Sequence, residues 1–344
     1  MAYHTTARGL VAAMVGSAVL VAAPLPWMIG DTMAEEVVRA QFARPTTIPA
    51  PAANALTEAR ITLGKTLFFD RRLSLSETVA CSSCHVPWIG WGDRAARPLN
   101  DSGAAMNRRT LPTINLAFHK KYLWDGRTGN LDTQAVGPMT NPGIMGLSEA
   151  EIGRRLGAVP GYHPMFETAY PGEPIDAGTA AKAIASFERS LVSDPAPFDD
   201  WIAGQDDAIG PEAKRGFALF TGRAGCSACH SGWLFGDDGF HDIGLPNPQD
   251  VGRAKQVPGN EKMMFAFRTP SLRDVAVRPP YMHDGSLATL AAVVDFYAEG
   301  GIARPSRSDE IRPLTLSAEE RNALVVFMKS LTSRQRPFTT PVLP

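Results

Sequence analysis

The chain has 344 residues, with 34 Lys and Arg against 35 Asp and Glu, and a formal net charge of −1. That length suggests about two domains, each able to bury a core. The balanced charge gives no support to a nucleic-acid or strongly anionic partner, and 31 Gly and 28 Pro predict many loops, though no stretch is low in complexity.

In chain order, an apolar run at 9–30 follows His4 and Arg8 and is interrupted by Pro24 and Pro26. It reads as a secretory signal or an uncleaved anchor within 1–34, so the rest of the chain is expected outside the cytoplasm, with membrane contact only if the segment is retained. Residues 35–55 are a Pro/Ala-rich lead-in. Helix signals then dominate. Ser148 with Glu151 is a capping box, and Ile184, Phe187 and Leu191 form one stripe. Ser317 with Glu320 caps a helix carrying Leu324, Phe327 and Leu331 on one face. Alternating strand patterns are scarce, and the expected class is all-α, with short helices and long loops.

All four cysteines lie in two copies of Cys-x-x-Cys-His: Cys81, Cys84 and His85, then Cys226, Cys229 and His230. In this motif the thiols add to the porphyrin vinyls of a c-type haem, and the adjacent histidine binds iron. Zinc would combine the cysteine pairs in one four-ligand site and gives no reason for a histidine after each pair. A redox dithiol would need a single pair near a strand–helix junction; two short disulfides are the remaining alternative. Two covalent haems are predicted, and because bacterial attachment of c-type haem takes place outside the cytoplasm, the periplasm is the expected location.

An internal repeat sharpens this expectation. The run 109–126 matches 268–285 at an offset of 159, through Arg109/Arg268, Thr110/Thr269, Ala117/Ala276, Tyr122/Tyr281, Asp125/Asp284 and Gly126/Gly285. The repeat predicts two tandem cytochrome domains, 56–205 and 206–334, followed by a tail at 335–344. The same offset makes Trp124 equivalent to His283, Gln134 to Val293 and Pro138 to Tyr297. Tyrosinate ligates haem iron and proline does not. If that position overlooks the distal face, the second haem is closed by Tyr297 and the first is open beside Pro138. Met282 and Met328 are alternative ligands, and Tyr297 could be an ordinary packed tyrosine. His119 lies beside two lysines and is expected in solvent.

Taken together, "LGKTLFFDRRLS", "WDGRTGNLDTQAVGPMTNP", "PFDDW", "CSACHSGWLFGDDGFHDIGLP" and "FRTPSLRDVAVRPPYMHDGSLATL" resemble the di-haem bacterial cytochrome c peroxidase and MauG superfamily over about 56–333. The resemblance implies a high-spin, peroxide-reacting haem at His85 and a six-coordinate haem at His230. It implies that Trp124 carries electrons between them and that Gln134 and Pro138 line the distal pocket. Tyr297 stands where MauG-type enzymes have tyrosine and peroxidases have methionine. The loop after the first motif has no histidine of the kind that blocks the resting iron of many peroxidases. Both features lean towards MauG-type oxidation of a partner protein by hydrogen peroxide.

Three positions depart from the family. Ile144 replaces the catalytic glutamate of "NPxEM", so the general acid–base group is missing. Ala224 replaces the surface tryptophan of MauG; Trp201 and Trp233 are the remaining candidates for an exit route, or else plain packing residues. "RRTL" replaces the "RNTP" that supplies an asparagine to the family's calcium site, leaving Asn107 and the carbonyls of Arg278 and Pro280 as expected calcium ligands. The competing expectations are a cytochrome c peroxidase fed by a small electron-donor protein (a c-type cytochrome or cupredoxin), and a non-enzymatic di-haem electron-transfer or sensor protein.

Overall fold

The computed structural model describes residues 1–3, 37–246, 249–334 and 337–344. The apolar run at 9–30 lies outside the described residues, and no described helix is long and apolar enough to cross a membrane. The chain forms two compact units, Met1–Arg39 and Ala40–Pro344; the second contains both Cys-x-x-Cys-His motifs.

The described helices of this second unit are α1 (Glu58–Phe68), α2 (Cys81–Cys84), α3 (Leu131–Gln134), α4 (Val136–Thr140), α5 (Glu149–Gly157), α6 (Tyr162–Ala169), α7 (Ala177–Ser190), α8 (Pro197–Ile202), α9 (Pro211–Thr221), α10 (Leu290–Glu299) and α11 (Ala318–Ser330). The only sheet among the described residues pairs β1 (Phe240–His241) antiparallel with β2 (Phe267–Arg268). The Ser317–Glu320 capping box forms as expected. At Ser148 only half of it does. The hydroxyl accepts the Glu151 N–H, while the Glu151 carboxylate pairs with Arg154 and Arg155, whose charges compete better than the Ser148 N–H.

Two helix crossings organise the core. α1 crosses α7 at Gly64, where a Cβ would lie 1.9 Å from the Ala183 carbonyl oxygen. α9 crosses α11 at Gly216, where a Cβ would lie 2.0 Å from the Ala323 carbonyl oxygen. Neither backbone has room for a methyl group. Gly64→Ala should therefore lower stability by roughly 1–3 kcal/mol, despite alanine's higher helix propensity, as a reduced midpoint in thermal unfolding.

Each crossing carries the same aromatic cage. Phe68 lies 6.1 Å from His85, 6.1 Å from Trp91 and 5.3 Å from Phe187, and Trp91 lies 5.7 Å from Phe187. The counterparts around Phe220 are His230 at 6.4 Å, Phe235 at 5.9 Å and Phe327 at 5.0 Å, with Phe235 to Phe327 at 5.7 Å. The backbone repeats too. Asn115 and Asp274, then Leu123 and Met282, take left-handed conformations 159 residues apart, and the bridge Tyr122–Thr128 recurs as Tyr281–Leu287. The sequence repeat is thus a repeat of geometry, with each copy centred on one Cys-x-x-Cys-His.

Candidate functional site

In each motif a single turn brings the histidine N–H to the first cysteine's carbonyl, at 3.0 Å for His85 on Cys81 and 2.9 Å for His230 on Cys226. That turn puts both thiols beside the imidazole. A second carbonyl then orients the ring. His85 Nδ1 lies 3.3 Å from the Trp91 oxygen, and His230 Nδ1 lies 2.8 Å from the Phe235 oxygen. Trp91 (φ 60°) and Phe235 (φ 52°) both adopt the left-handed backbone, an unfavourable conformation for aromatic residues that aims each carbonyl at its histidine. With Nδ1 engaged by a carbonyl in both rings, Nε2 is the nitrogen an iron would take. Burial pushes His85 down to about 4 and lowers His230 as well, so both imidazoles are neutral, as a ligand must be.

The thiols are free. Burial first, then the Glu188 and Cys84 charges, pushes Cys81 up to about 12; burial takes Cys84 and Cys226 up to about 11.

Cys226, Cys229 and His230 face a cavity that encloses about 1820 Å³ of non-atom space, its mouth included. Tyr297, Met282 and Met328 line the same cavity, so all three ligand candidates meet one space. Tyr297 is carried by α10, which starts at its Thr289 cap and runs unbroken past Tyr297. Burial raises the pKa of its phenol, with the nearby cysteines adding to the effect. A neutral imidazole nitrogen, a phenol, two thiols and apolar walls are a donor set that fits a covalently held haem.

The first copy differs at the equivalent helix. Leu131 starts it in the same register as Leu290, under an Asn130 cap, but the helix is divided into α3 and α4. Pro138 explains the break: it has no N–H for the Gln134 carbonyl, and its ring crowds that oxygen. One residue thus stands where the second copy has Tyr297 and interrupts the helix that carries it there. Gln134, Pro138 and Ile144 are all half-buried. Ile144 and Cys81 pack against the same apolar cluster, which contains Phe68, Trp91 and Met139. The turn bearing Ile144 folds back on α4 through Met145 N–H to the Pro138 carbonyl at 3.2 Å.

The two copies meet through reciprocal bonds. The Arg109 N–H donates to the His283 carbonyl, and the Arg268 N–H donates to the Trp124 carbonyl, both at 2.8 Å. The equivalent residues Trp124 and His283 thus sit face to edge at the junction, 6.3 Å between ring centres. Trp124 also lines the cavity of the second motif, and its indole N–H donates to the Arg109 carbonyl at 2.7 Å. His119 is buried, not solvated. Its Nδ1 lies 2.6 Å from Asp238 and 3.1 Å from the Arg268 guanidinium, partners too distant in sequence for its lysine neighbours to reveal.

Residues 58–207 match the family described as di-haem cytochrome c peroxidase. The chain is 49% identical to the methylamine utilization protein MauG of Methylorubrum extorquens, over 89% of this chain and 88% of that one. The chain belongs to the di-haem cytochrome c peroxidase and MauG family. It is also 36% identical to the cytochrome-c peroxidase IdrP1 of Denitromonas iodatirespirans, over 83% of this chain and 84% of that one. Among solved structures, a MauG-like protein associated with microbial copper homeostasis superposes with a TM-score of 0.79 at 30% identity, covering 85% of this chain and 94% of that one. The family makes the protein a haem peroxidase-type oxidoreductase with two haems.

Unlike the haems, calcium does not fit the residues present. The Arg278 carbonyl accepts Nη2 of Arg109 at 2.7 Å, and Asn107 is exposed. Pro280 alone cannot make a six- to eight-oxygen site. Nor do Trp201 and Trp233 offer a surface exit, since both are buried; the Trp233 ring lies under the guanidinium groups of Arg44 and Arg273.

Arg109 and Glu188 carry polar interactions that no motif announces, although Arg109 is visible as a repeated position. Glu188, on α7, is buried with Oε2 unpartnered. Burial, only partly offset by Arg189, pushes it up to about 8 from its ordinary value of 4.5. The folded chain therefore keeps a proton that the unfolded chain releases. The associated stability is complete below about 4.5 and falls as pH rises through about 8. Denaturant unfolding between these values should show that decline, and Glu188→Gln should flatten it.

Proposed function

We propose that the protein is a periplasmic di-haem c-type oxidoreductase of MauG type, which uses hydrogen peroxide to oxidise a partner protein. Residues 56–205 and 206–334 act as two cytochrome domains. Cys81 and Cys84 attach the first haem, and Cys226 and Cys229 the second. When bound, the haems supply redox-active iron, one face of it open to peroxide, and storage for two oxidising equivalents. His85 would hold the first iron, and Pro138 would offer it no second ligand. Gln134 offers an amide to a bound oxidant, and Ile144 keeps the wall apolar. His230 and Tyr297 close the second iron, and Trp124 links the two sites at the junction.

The observation that supports this reading is the repeated helix: broken by Pro138 in the first copy, continuous and bearing Tyr297 in the second. A cytochrome c peroxidase is the second reading, favoured by Met282 and Met328 lining the same cavity as Tyr297. Addition of one equivalent of hydrogen peroxide to the purified diferric protein separates them. The expected result is a long-lived change in the optical and Mössbauer signals of both irons without prior reduction. A spectrum that changes only after one iron has been reduced supports the peroxidase, and a spectrum that never changes removes both.

A further inference from the structure

We infer that Arg109 acts as a tethered cation at the junction of the two copies, so that the protein couples its halves without calcium. This stands apart from the MauG-type reading and would hold equally for a peroxidase.

Nη2 of Arg109 donates to two backbone carbonyls, Asp93 at 2.9 Å and Arg278 at 2.7 Å. One belongs to the first copy and one to the second. Carbonyl oxygens converging from two chain segments suit a hard divalent cation; here their meeting point holds a nitrogen. The main chain of the same residue adds one bond across the junction, its N–H donating to the His283 carbonyl, while its carbonyl accepts the indole of Trp124 from its own copy.

The other copy handles its arginine differently. Arg268, the mate of Arg109, bonds the Asp238 carboxylate at 3.2 Å. Asp93 is the mate of Asp238 at the offset of the haem motifs, yet its carboxylate does not bond Arg109. Oδ2 takes the Thr110 hydroxyl at 2.7 Å, and Oδ1 has no partner, nor has Nε of Arg109. The guanidinium therefore meets carbonyls, as an ion would.

Charge argues the same way. The Arg278 guanidinium is also buried here, donating to the Gly90 and Arg273 carbonyls. Asp93 acts on Arg109, and Asp274 on Arg278, as attractive charges, while the two arginines repel each other. Two fixed cations already match two carboxylates. A calcium ion would add two charges where Asp93 and Asp274 are already matched, and burial leaves little screening.

The test uses the purified diferric holoprotein. Elemental analysis should find no stoichiometric calcium, and EGTA should leave the thermal midpoint and the two haem potentials unchanged. Arg109→Asn removes the charge, uncovers both carbonyls and leaves the Asp93 carboxylate without its nearby cation. This variant should unfold at lower temperature, bind one calcium per chain in a calorimetric titration, and recover stability when calcium is added. Arg109→Lys keeps a cation and should stay indifferent to calcium. One tightly held calcium in the wild-type protein, or a wild-type midpoint that falls with EGTA and returns with calcium, overturns the inference. Those wild-type measurements decide it even if the asparagine variant does not fold.

Discussion

Ile144→Glu should raise the rate at which hydrogen peroxide reacts with the diferric protein by roughly 100- to 10,000-fold. Heterolysis of peroxide would require a group that takes a proton from one oxygen and gives it to the other, which leaves as water. Isoleucine cannot carry it, and an amide such as that of Gln134 has no useful pKa. The backbone around Ile144 is held by bonds that do not involve its side chain. Its N–H donates to the Asn141 carbonyl at 2.8 Å, and its carbonyl accepts the Asp101 N–H at 2.8 Å. The turn should therefore survive the substitution. The glutamate would enter partly apolar surroundings, which costs roughly 1–3 kcal/mol of stability and raises its own pKa, favouring a group that can both give and take a proton. Stopped-flow spectroscopy measures the rate, with Ile144→Gln as the comparison of equal size. Equal rates in the two variants would show that position 144 is not where the proton moves.

The second large effect belongs to Tyr297. Tyr297→Met should raise the potential of the haem held by His230 by an appreciable part of the ~0.8 V that axial ligands span. Burial alone opposes ionisation of this phenol, so a tyrosinate here would depend on the charge of a ferric iron and would stabilise that state in return. A thioether carries no charge and favours ferrous iron. Spectroelectrochemical titration of both haems reads the shift. The variant should also lose the two-iron response to peroxide in the fully oxidised protein, because the second iron would no longer give up its electron readily. An unchanged potential would mean that Tyr297 is a packing residue and that Met282 or Met328 is the ligand.

Both predictions rest on features legible in the chain. The Cys-x-x-Cys-His motifs are short-range chemistry, complete within five residues. The offset of 159 records a duplication, and the left-handed residues Leu123 and Met282 show that the duplication extends to backbone conformation. The Ser317 cap and the apolar face of α11 were likewise readable, because a helix terminus and a helical period depend on neighbours three or four residues away.

Burial and partnership were not. His119 reads as a surface residue beside Lys120 and Lys121, yet Asp238 and Arg268 cover it. Trp201 and Trp233 read equally well as exit points or as core, and only packing made them core. Arg109 stands out in the sequence as a repeated arginine, but nothing near it announces the carbonyls of Asp93 and Arg278. The sequence by itself determined the two Cys-x-x-Cys-His motifs, the short helices with little sheet, the duplication and the unlike residues at Pro138 and Tyr297. Tertiary structure alone decided which charges are buried, what the junction is made of and why calcium does not fit there, because those depend on groups more than a hundred residues apart meeting in a space from which water is excluded.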